Sequence, residues 1–442
     1  MKIKNKLTFF IVLIAAIILI YSLVFGLKYA YIGSSYDAKV VCSCMFISHR
    51  SLENIKKEDL YAVPFAHIVV DQDQKSVTAD IYGMAKTKAI FRPGLGCTLV
   101  NELSENEIRQ QPFIKNSVSD TDSLDKVASL TPFVDSAQLY HIIENAFLET
   151  DTTRIKRTRA VIILHQGKLI AEKYAPAISS STPLLGWSMT KSVTNAMIGL
   201  LVKDGLLHTD QNALLEEWMH DDRKNITLDN LLRMSSGLQF KEDYTTPSDA
   251  TRMLFRTKGA GAFAIHSKLS STPGSTWSYS SGTTNILQEI IRRKFNTLAG
   301  YQSFPHERLF NKIGMHSAII EPDALGTYVG SSFMYATARD WAKFGQLYLQ
   351  DGIWNGDRIL PEGWVAYSAK ETPHSDGRYA AQFWINHTDP AFPQDAFMAD
   401  GFEGQFVVIV PSKQLVIVRL GCSQHEGFDI NPFVKEICKT IR

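Results

Sequence analysis

A serine, Ser188, stands three residues before a lysine, Lys191, in the segment Gly186-Trp187-Ser188-Met189-Thr190-Lys191. A strongly apolar helical run, Ser192 to Val202, follows at once. Positions i and i+3 share one face of a helix, so the lysine amine can lie beside the serine hydroxyl. A lysine removed from water loses the stabilisation of its charged form and can accept a proton near neutral pH. A weak nucleophile beside such a base is the minimal apparatus for acyl transfer. A second Ser-x-x-Lys, Ser123-Leu124-Asp125-Lys126, lies in the polar stretch Asn116 to Ser129. No apolar helix follows it, and it is set aside.

The elements that must position Ser188 are legible on both sides of it. A helix is expected over Ser136–Leu148, where Leu139, Ile142, Ile143, Ala146 and Phe147 form one stripe. Arg159–His165 and Lys168–Tyr174 flank the turn Gln166-Gly167 and read as a hairpin. The Ser188 helix should run to about Lys203, and residues 208–270 read as helical and loop segments. Helices are expected over Thr284–Lys294 and Thr337–Leu349. Two β-branched runs, Gln405–Val410 and Gln414–Leu420, join through Pro411-Ser412-Lys413, and Asn431–Ile441 reads as the last helix. Strands near both ends with helices between predict an α+β fold: an antiparallel sheet flanked by helices, with a helical lobe.

Before this unit the chain changes character. Lys2, Lys4 and Lys6 precede an uncharged apolar run from Leu7 to Leu27. That run is about as long as the roughly 20 residues a membrane-crossing helix needs. A cleavable signal has a shorter apolar region and a small-x-small site, which Lys28-Tyr29-Ala30 fits poorly. The reading favours an uncleaved, single-pass signal anchor in the inner or plasma membrane. The lysines stay cytoplasmic and the remainder is periplasmic or extracellular; secretion after cleavage is the alternative. Residues 37–100 read as a small β-rich region with strands at Lys39–Ile47, His67–Val70, Ser76–Tyr82 and Lys88–Phe91, and 101–133 as a polar connector. The expected organisation is an anchor over 1–33, a β-rich region and connector over 34–133, and a catalytic domain over 134–442.

Five cysteines fit an oxidising compartment, which would permit Cys42–Cys97 and Cys422–Cys438 bridges. Other pairings, and five buried thiols, remain open. Cys42 and Cys44, two apart in the strand-like run, should point to one face. The net charge of +1 gives no sign of nucleic-acid binding. No H-x-x-x-H pair and no C-x-x-C occurs, so no metal site is expected.

The order Ser188-x-x-Lys191, Tyr279-Ser280-Ser281, then Gly401-Phe402-Glu403-Gly404-Gln405 heading a strand, resembles the serine β-lactamase and penicillin-binding protein superfamily. It is most similar to the class C-like branch with 6-aminohexanoate-oligomer hydrolases and related esterases. Residues 226–237, 273–281 and 337–346 resemble that branch too, and the likeness spans about residues 136–442. The resemblance implies a β-lactamase/transpeptidase-like fold with Ser188 as the acylated nucleophile. Lys191 holds its proton network and can be its base. Tyr279 shuttles a proton toward the leaving group, as a phenolate or a hydrogen-bonded hydroxyl. Ser281 stands where many members carry an asparagine that bonds the lysine and substrate, and a hydroxyl reaches less far. The implied oxyanion hole is the N–H of Ser188 and that of Gln405 on an edge strand, with Gly404 admitting the substrate closely. Trp187, Trp277 and Trp384 could line an acyl pocket or belong to the core.

One departure bears on the substrate. The family usually places Lys-Thr-Gly at the head of this strand to bind a carboxylate, whereas this chain aligns Phe402-Glu403-Gly404. A phenylalanine cannot pair with a carboxylate, and a glutamate repels one by roughly 1 kcal/mol or more at close range. The expectation is a neutral ester or amide, hydrolysed through an acyl-enzyme on Ser188 without cofactor. If Glu403 points into the site, it could attract an amine or help activate the deacylating water. The alternatives are a β-lactamase or peptidoglycan D,D-peptidase, and a catalytically silent protein binding cell-wall or peptide fragments. Oligomeric state is not legible.

Overall fold

The computed structural model describes residues 2–113, 134–424 and 427–441. The second Ser-x-x-Lys, at 123–126, lies outside them. The N-terminal apolar run and the segment after it form one unbroken helix, α1 (Lys2–Phe46). At 1.5 Å per residue its 45 residues extend about 68 Å. It is long and apolar enough to cross a membrane, and its most apolar window is fully exposed.

The stretch Lys39–Ile47, expected as a strand, is helical as far as Phe46. The second half of α1 is enclosed: Ser34, Ser35 and residues 37–44 are buried. A helix covered on every side has no polar face, so its sequence shows no 3.6-residue period and reads as a β-branched run. Helical geometry also turns Cys42 and Cys44 to different faces rather than one. Cys42 forms the expected bridge to Cys97, and Cys44 is a buried free thiol.

Helix α1 packs on a four-stranded antiparallel sheet, β1 (His67–Asp71), β2 (Ser76–Ile81), β3 (Met84–Arg92) and β4 (Gly96–Leu99), and on the helix Asp249–Arg256. Lys39 on α1 pairs with the buried Glu321 at 2.6 Å. The Ser43 hydroxyl (2.7 Å) and the Cys97 N–H (2.6 Å) donate to the same carboxylate. Removing one partner of such a pair strands a charge and costs about 3–5 kcal/mol, so this cluster fastens the N-terminal region to the lobe behind it.

The larger sheet comprises β5 (Thr158–His165), β6 (Lys168–Tyr174), β7 (Trp384–Ile385), β8 (Phe397–Gly401), β9 (Gln405–Val410) and β10 (Leu415–Gly421). Its order is β7-β8-β9-β10-β5-β6, antiparallel throughout, so strands from both ends of the domain close one sheet. Every residue of β5 is buried because both faces are covered. Ala160, Ile162 and Leu164 enter the main core, while Val161 and Ile163 enter a second core, as the period of two requires. The second core is closed by α2 (Ser136–Phe147) and α6 (Ile430–Thr440). The main core holds α3 (Met189–Lys203), α4 (Ser281–Arg292) and α5 (Ala338–Leu349).

The expected Cys422–Cys438 bridge is absent, and both are free thiols. Cys422 follows β10, whereas Cys438 lies near Lys413 in the turn before it. The seven residues of β10 span about 20 Å, and a disulfide needs Cα atoms within about 7 Å.

Candidate active site

Ser188 is the N-cap of α3 and is half-buried. An N-cap serine usually spends its oxygen on a backbone N–H, but Ser188 makes no such bond. Trp187 before it holds the left-handed conformation, with φ +47°, a strained geometry for a bulky residue. The turn is wedged from two sides. A Cβ on Gly186 would sit 2.4 Å from Trp341, and a Cβ on Gly401, at the end of β8, would sit 2.1 Å from the Gly186 carbonyl oxygen. Only glycines let β8 approach the Ser188 turn this closely.

Lys191 is buried one turn into α3. Its Nζ donates to Ser188 Oγ (2.9 Å), Ser281 Oγ (3.0 Å) and the Ser331 carbonyl (2.9 Å). Burial pushes the amine down to about 8, while the carboxylates of Glu242 and Asp400 pull the other way. The three acceptors suit an ammonium. When the amine is neutral, its lone pair needs a donor. A carbonyl cannot supply one, and the Ser281 hydroxyl already donates to Glu242 at 2.6 Å. Ser188 is the neighbour whose proton is free to move to the amine.

Tyr279 completes the centre. Its hydroxyl faces Ser188. Burial holds its phenol well above the ordinary value and outweighs Ser188, which favours the ionised form. At neutral pH it is therefore a phenol rather than a phenolate. Lys191 Nζ lies 4.8 Å from the centre of its ring. Trp384 (5.2 Å) and Tyr379 (5.8 Å) flank that ring, and Trp277 meets both of them. Trp187 lies on the other side of Ser188, against Phe402 at 5.8 Å.

Ser281, at the start of α4, reaches the lysine despite its short side chain. Glu242 holds it there, accepting from the Ser281 N–H at 2.8 Å as well as from its hydroxyl. Tyr244 donates to the same carboxylate at 2.6 Å, and its oxygen lies 3.1 Å from Ser281 Oγ. Sequence reasoning missed Glu242, Tyr244 and Asp400. The first two lie on an irregular loop with no periodic signal. Asp400 sits on β8, and burial pushes its carboxyl up to about 7 against the pull of Lys191.

The structure does not bring the remaining expected residues to the serine. Strand β9 is internal, with β8 on one side and β10 on the other, so Gln405 is not on an edge. Its side chain exchanges hydrogen bonds with the Gly421 backbone at 2.8 and 3.0 Å. Gly404 is approached by the Arg419 guanidinium, which donates to its carbonyl at 2.6 Å. Glu403, with φ +64°, turns its carboxylate toward Cys422 Sγ (3.5 Å) and the Trp187 indole N–H (3.4 Å). It lines a pocket with Asp59 and Arg159 that Ser188, Lys191 and Tyr279 do not border. The edge facing the Ser188 turn is the end of β8. Strand β7 pairs only with Phe397 and Met398, leaving Ala399-Asp400-Gly401 uncovered on that side. Among the described residues no three His, Cys, Asp or Glu side chains gather as a metal site.

The Beta-lactamase family model matches residues 152–433. The 6-aminohexanoate-dimer hydrolase of Paenarthrobacter ureafaciens is 23% identical over 288 residues, covering 60% of this chain and 72% of that protein. A candidate 6-aminohexanoate-dimer hydrolase from Bacillus anthracis superposes with a TM-score of 0.57 at 21% identity, covering 88% of this chain and 96% of its own. A family VIII carboxylesterase superposes with a TM-score of 0.56 at 15% identity, covering 72% of this chain and 98% of its own. At these identities the two structures share the fold.

Proposed function

The chain belongs to the beta-lactamase family, and from that premise we propose that it is a serine hydrolase cleaving a neutral ester or amide through an acyl-enzyme on Ser188. One observation carries the reading: Lys191 Nζ lies 2.9 Å from Ser188 Oγ among partners that leave only Ser188 able to give it a proton. In the first half-reaction Ser188 Oγ bonds to the substrate carbonyl carbon and its proton passes to neutral Lys191. The C–O or C–N bond then breaks, and the leaving alcohol or amine takes a proton through Tyr279. In the second, water adds to the acyl-enzyme, the acid departs, and Ser188 regains its proton. The oxyanion donors we assign are the N–H of Ser188 and one at the uncovered end of β8. One such donor typically contributes about 2.7–4 kcal/mol in the transition state.

The charges near Lys191 support the neutral substrate. Glu242 and Asp400 face it, and the Glu242 carboxylate, joined by Asp400 as pH rises past about 7, would repel a carboxylate-bearing β-lactam or peptide stem. The hydrolase and esterase names of the relatives support cleavage of an amide or ester bond. We read α1 as the membrane anchor, with the catalytic part periplasmic or extracellular. The buried Cys42–Cys97 bridge supports an oxidising compartment.

The test compares the full-length protein with Ser188→Ala on p-nitrophenyl butyrate, with a fluorophosphonate label as a second readout. Turnover and labelling in the parent, both lost in the variant, are expected. Equal turnover by both proteins would overturn the Ser188 assignment. Nitrocefin cleaved faster than the ester would overturn the substrate class.

A further inference from the structure

Helix α1 passes from its exposed apolar segment into the folded body with no linker. If residues 7–27 fill a hydrocarbon core about 30 Å thick, Tyr29 stands about 3 Å above it. The headgroup layer is roughly 5–8 Å deep on each side, so the folded residues touching Tyr29 and Tyr31 lie within it, and those touching Gly33 and Ser34, about 9–11 Å above the core, stand at its outer rim. Those contacts are specific. Tyr29 Oη donates to the Thr245 carbonyl at 3.2 Å, and the Arg256 guanidinium lies 4.4 Å over the Tyr31 ring. Val63 and Ile81 close on Gly33, and Ser34 Oγ donates to the Ala85 carbonyl at 2.6 Å.

Two features meet there. The first is a bare apolar cluster beside Ile81, Ala85 and Val63. Tyr82 is 79% exposed, Met84 57% and Phe65 57%, and the Phe65 and Tyr82 rings stack at 6.2 Å. Aromatic residues around the exit of a membrane helix are the composition of an interfacial belt, whereas a freely soluble surface seldom leaves such a cluster uncovered. The second is the catalytic mouth. Thr245 adjoins Tyr244, whose hydroxyl lies 3.1 Å from Ser281 Oγ, itself 3.0 Å from Lys191 Nζ. The Tyr244 ring stacks at 6.4 Å on the exposed Phe402, which meets Trp187 beside the nucleophile. Three contacts and one peptide bond lead from the membrane helix to the Lys191 amine.

We propose that the active site opens onto the outer face of the bilayer and that its substrate is a membrane-held amphiphile. That amphiphile is a neutral ester or amide whose acyl chain lies among the lipids. The inference rests on the serine-hydrolase and anchor readings. Tyr82, Met84 and Phe65 dip into the headgroup layer and fix the tilt of the body. The scissile carbonyl then rises only a few ångströms to Ser188, past Tyr244 and Phe402. The chemistry is unchanged: the acyl carbon transfers to Ser188 Oγ as the leaving group takes the proton, and water releases the acid.

The test uses the full chain in phosphatidylcholine nanodiscs with two substrates, water-soluble p-nitrophenyl butyrate and disc-partitioned p-nitrophenyl palmitate. The double variant Tyr82→Asp, Met84→Asp lies outside the catalytic machinery. It should keep the butyrate rate within twofold, which also reports folding, and lose at least fivefold on palmitate. An environment-sensitive fluorophore on Tyr82→Cys should be quenched by lipids spin-labelled near the headgroup. Palmitate and butyrate rates that stay in their parental ratio, or an unquenched label, would overturn the proposal. A parent silent on both esters would overturn the hydrolase reading instead, and quenching alone would then support or overturn the membrane placement.

Discussion

Replacing Glu242 with glutamine should shift the pH dependence of catalysis downward. Glu242 accepts from Ser281 Oγ at 2.6 Å, and Ser281 accepts from Lys191 Nζ at 3.0 Å. Laid end to end, these bonds place the carboxylate no more than about 5.6 Å from the amine. At an effective dielectric of about 20, that separation stabilises the ammonium by about 3 kcal/mol, or roughly 2 pKa units. Glu242 is only partly buried, and solvent should reduce the effect to about 1–2 units. The parent amine titrates at about 8. Its kcat/KM on p-nitrophenyl butyrate should therefore fall about tenfold per pH unit on the acid side of that value. In Glu242→Gln the amide keeps an acceptor for Ser281, and the lost charge makes the ammonium easier to deprotonate. The acid limb should move down to about 6–7, and at pH 6.5 the variant should outpace the parent several-fold. The weaker base should leave a somewhat lower plateau at pH 9. The assay is initial rate between pH 5.5 and 9.5, read at the isosbestic wavelength of the phenol. A limb that stays in place or moves upward would refute Lys191 as the titrating base, as would a parent with no limb between pH 7 and 9.

Other perturbations read different parts of the reasoning. Tyr279→Phe should lower kcat by about a hundredfold or more while the acid limb stays near 8; a vanished limb would assign the titration to the tyrosine. Gly401→Ala puts a methyl 2.1 Å from the Gly186 carbonyl, so it should cost about 1–3 kcal/mol, lower Tm and displace Ser188 enough to depress activity. Unchanged Tm and rate would refute the close contact between β8 and the nucleophile's turn. Asp37→Asn tests the buried face of α1, where neither carboxylate oxygen has a partner and burial pushes the carboxyl up to about 8. Between pH 4 and 8 the folded state holds a proton that the unfolded chain has lost, so the parent loses stability as pH rises through that window. The substitution should raise Tm more at pH 8.5 than at pH 5, and an equal gain at both would refute it.

Much of the catalytic centre is legible locally. Ser188 and Lys191 meet because three residues along a helix return to one face, a spacing the chain carries openly. The hairpin of β5 and β6 and the closing strands β9 and β10 are legible because alternation and β-branching mark strands buried between two layers. The second half of α1 is misread for the complementary reason: a helix buried all round loses the periodicity that identifies it. The edge position expected for Gln405 is not observed. Gln405 heads a β-branched run, but hydrogen-bonded neighbours on both sides make that strand internal.

By itself, then, the amino-acid sequence determined the pairing of Ser188 with Lys191, the α+β class and the membrane-length helix, since each is written in spacings of a few residues. Only the tertiary structure decided that Glu242 orients Ser281, that Glu403 faces away from the serine and that Cys422 has no partner in Cys438. It alone placed the end of β8 against the Ser188 turn and the Tyr29 turn of α1 beside the loop that carries Glu242 and Tyr244. These relations join residues far apart along the chain. Sheet order and helix packing create them, and no local periodicity encodes them.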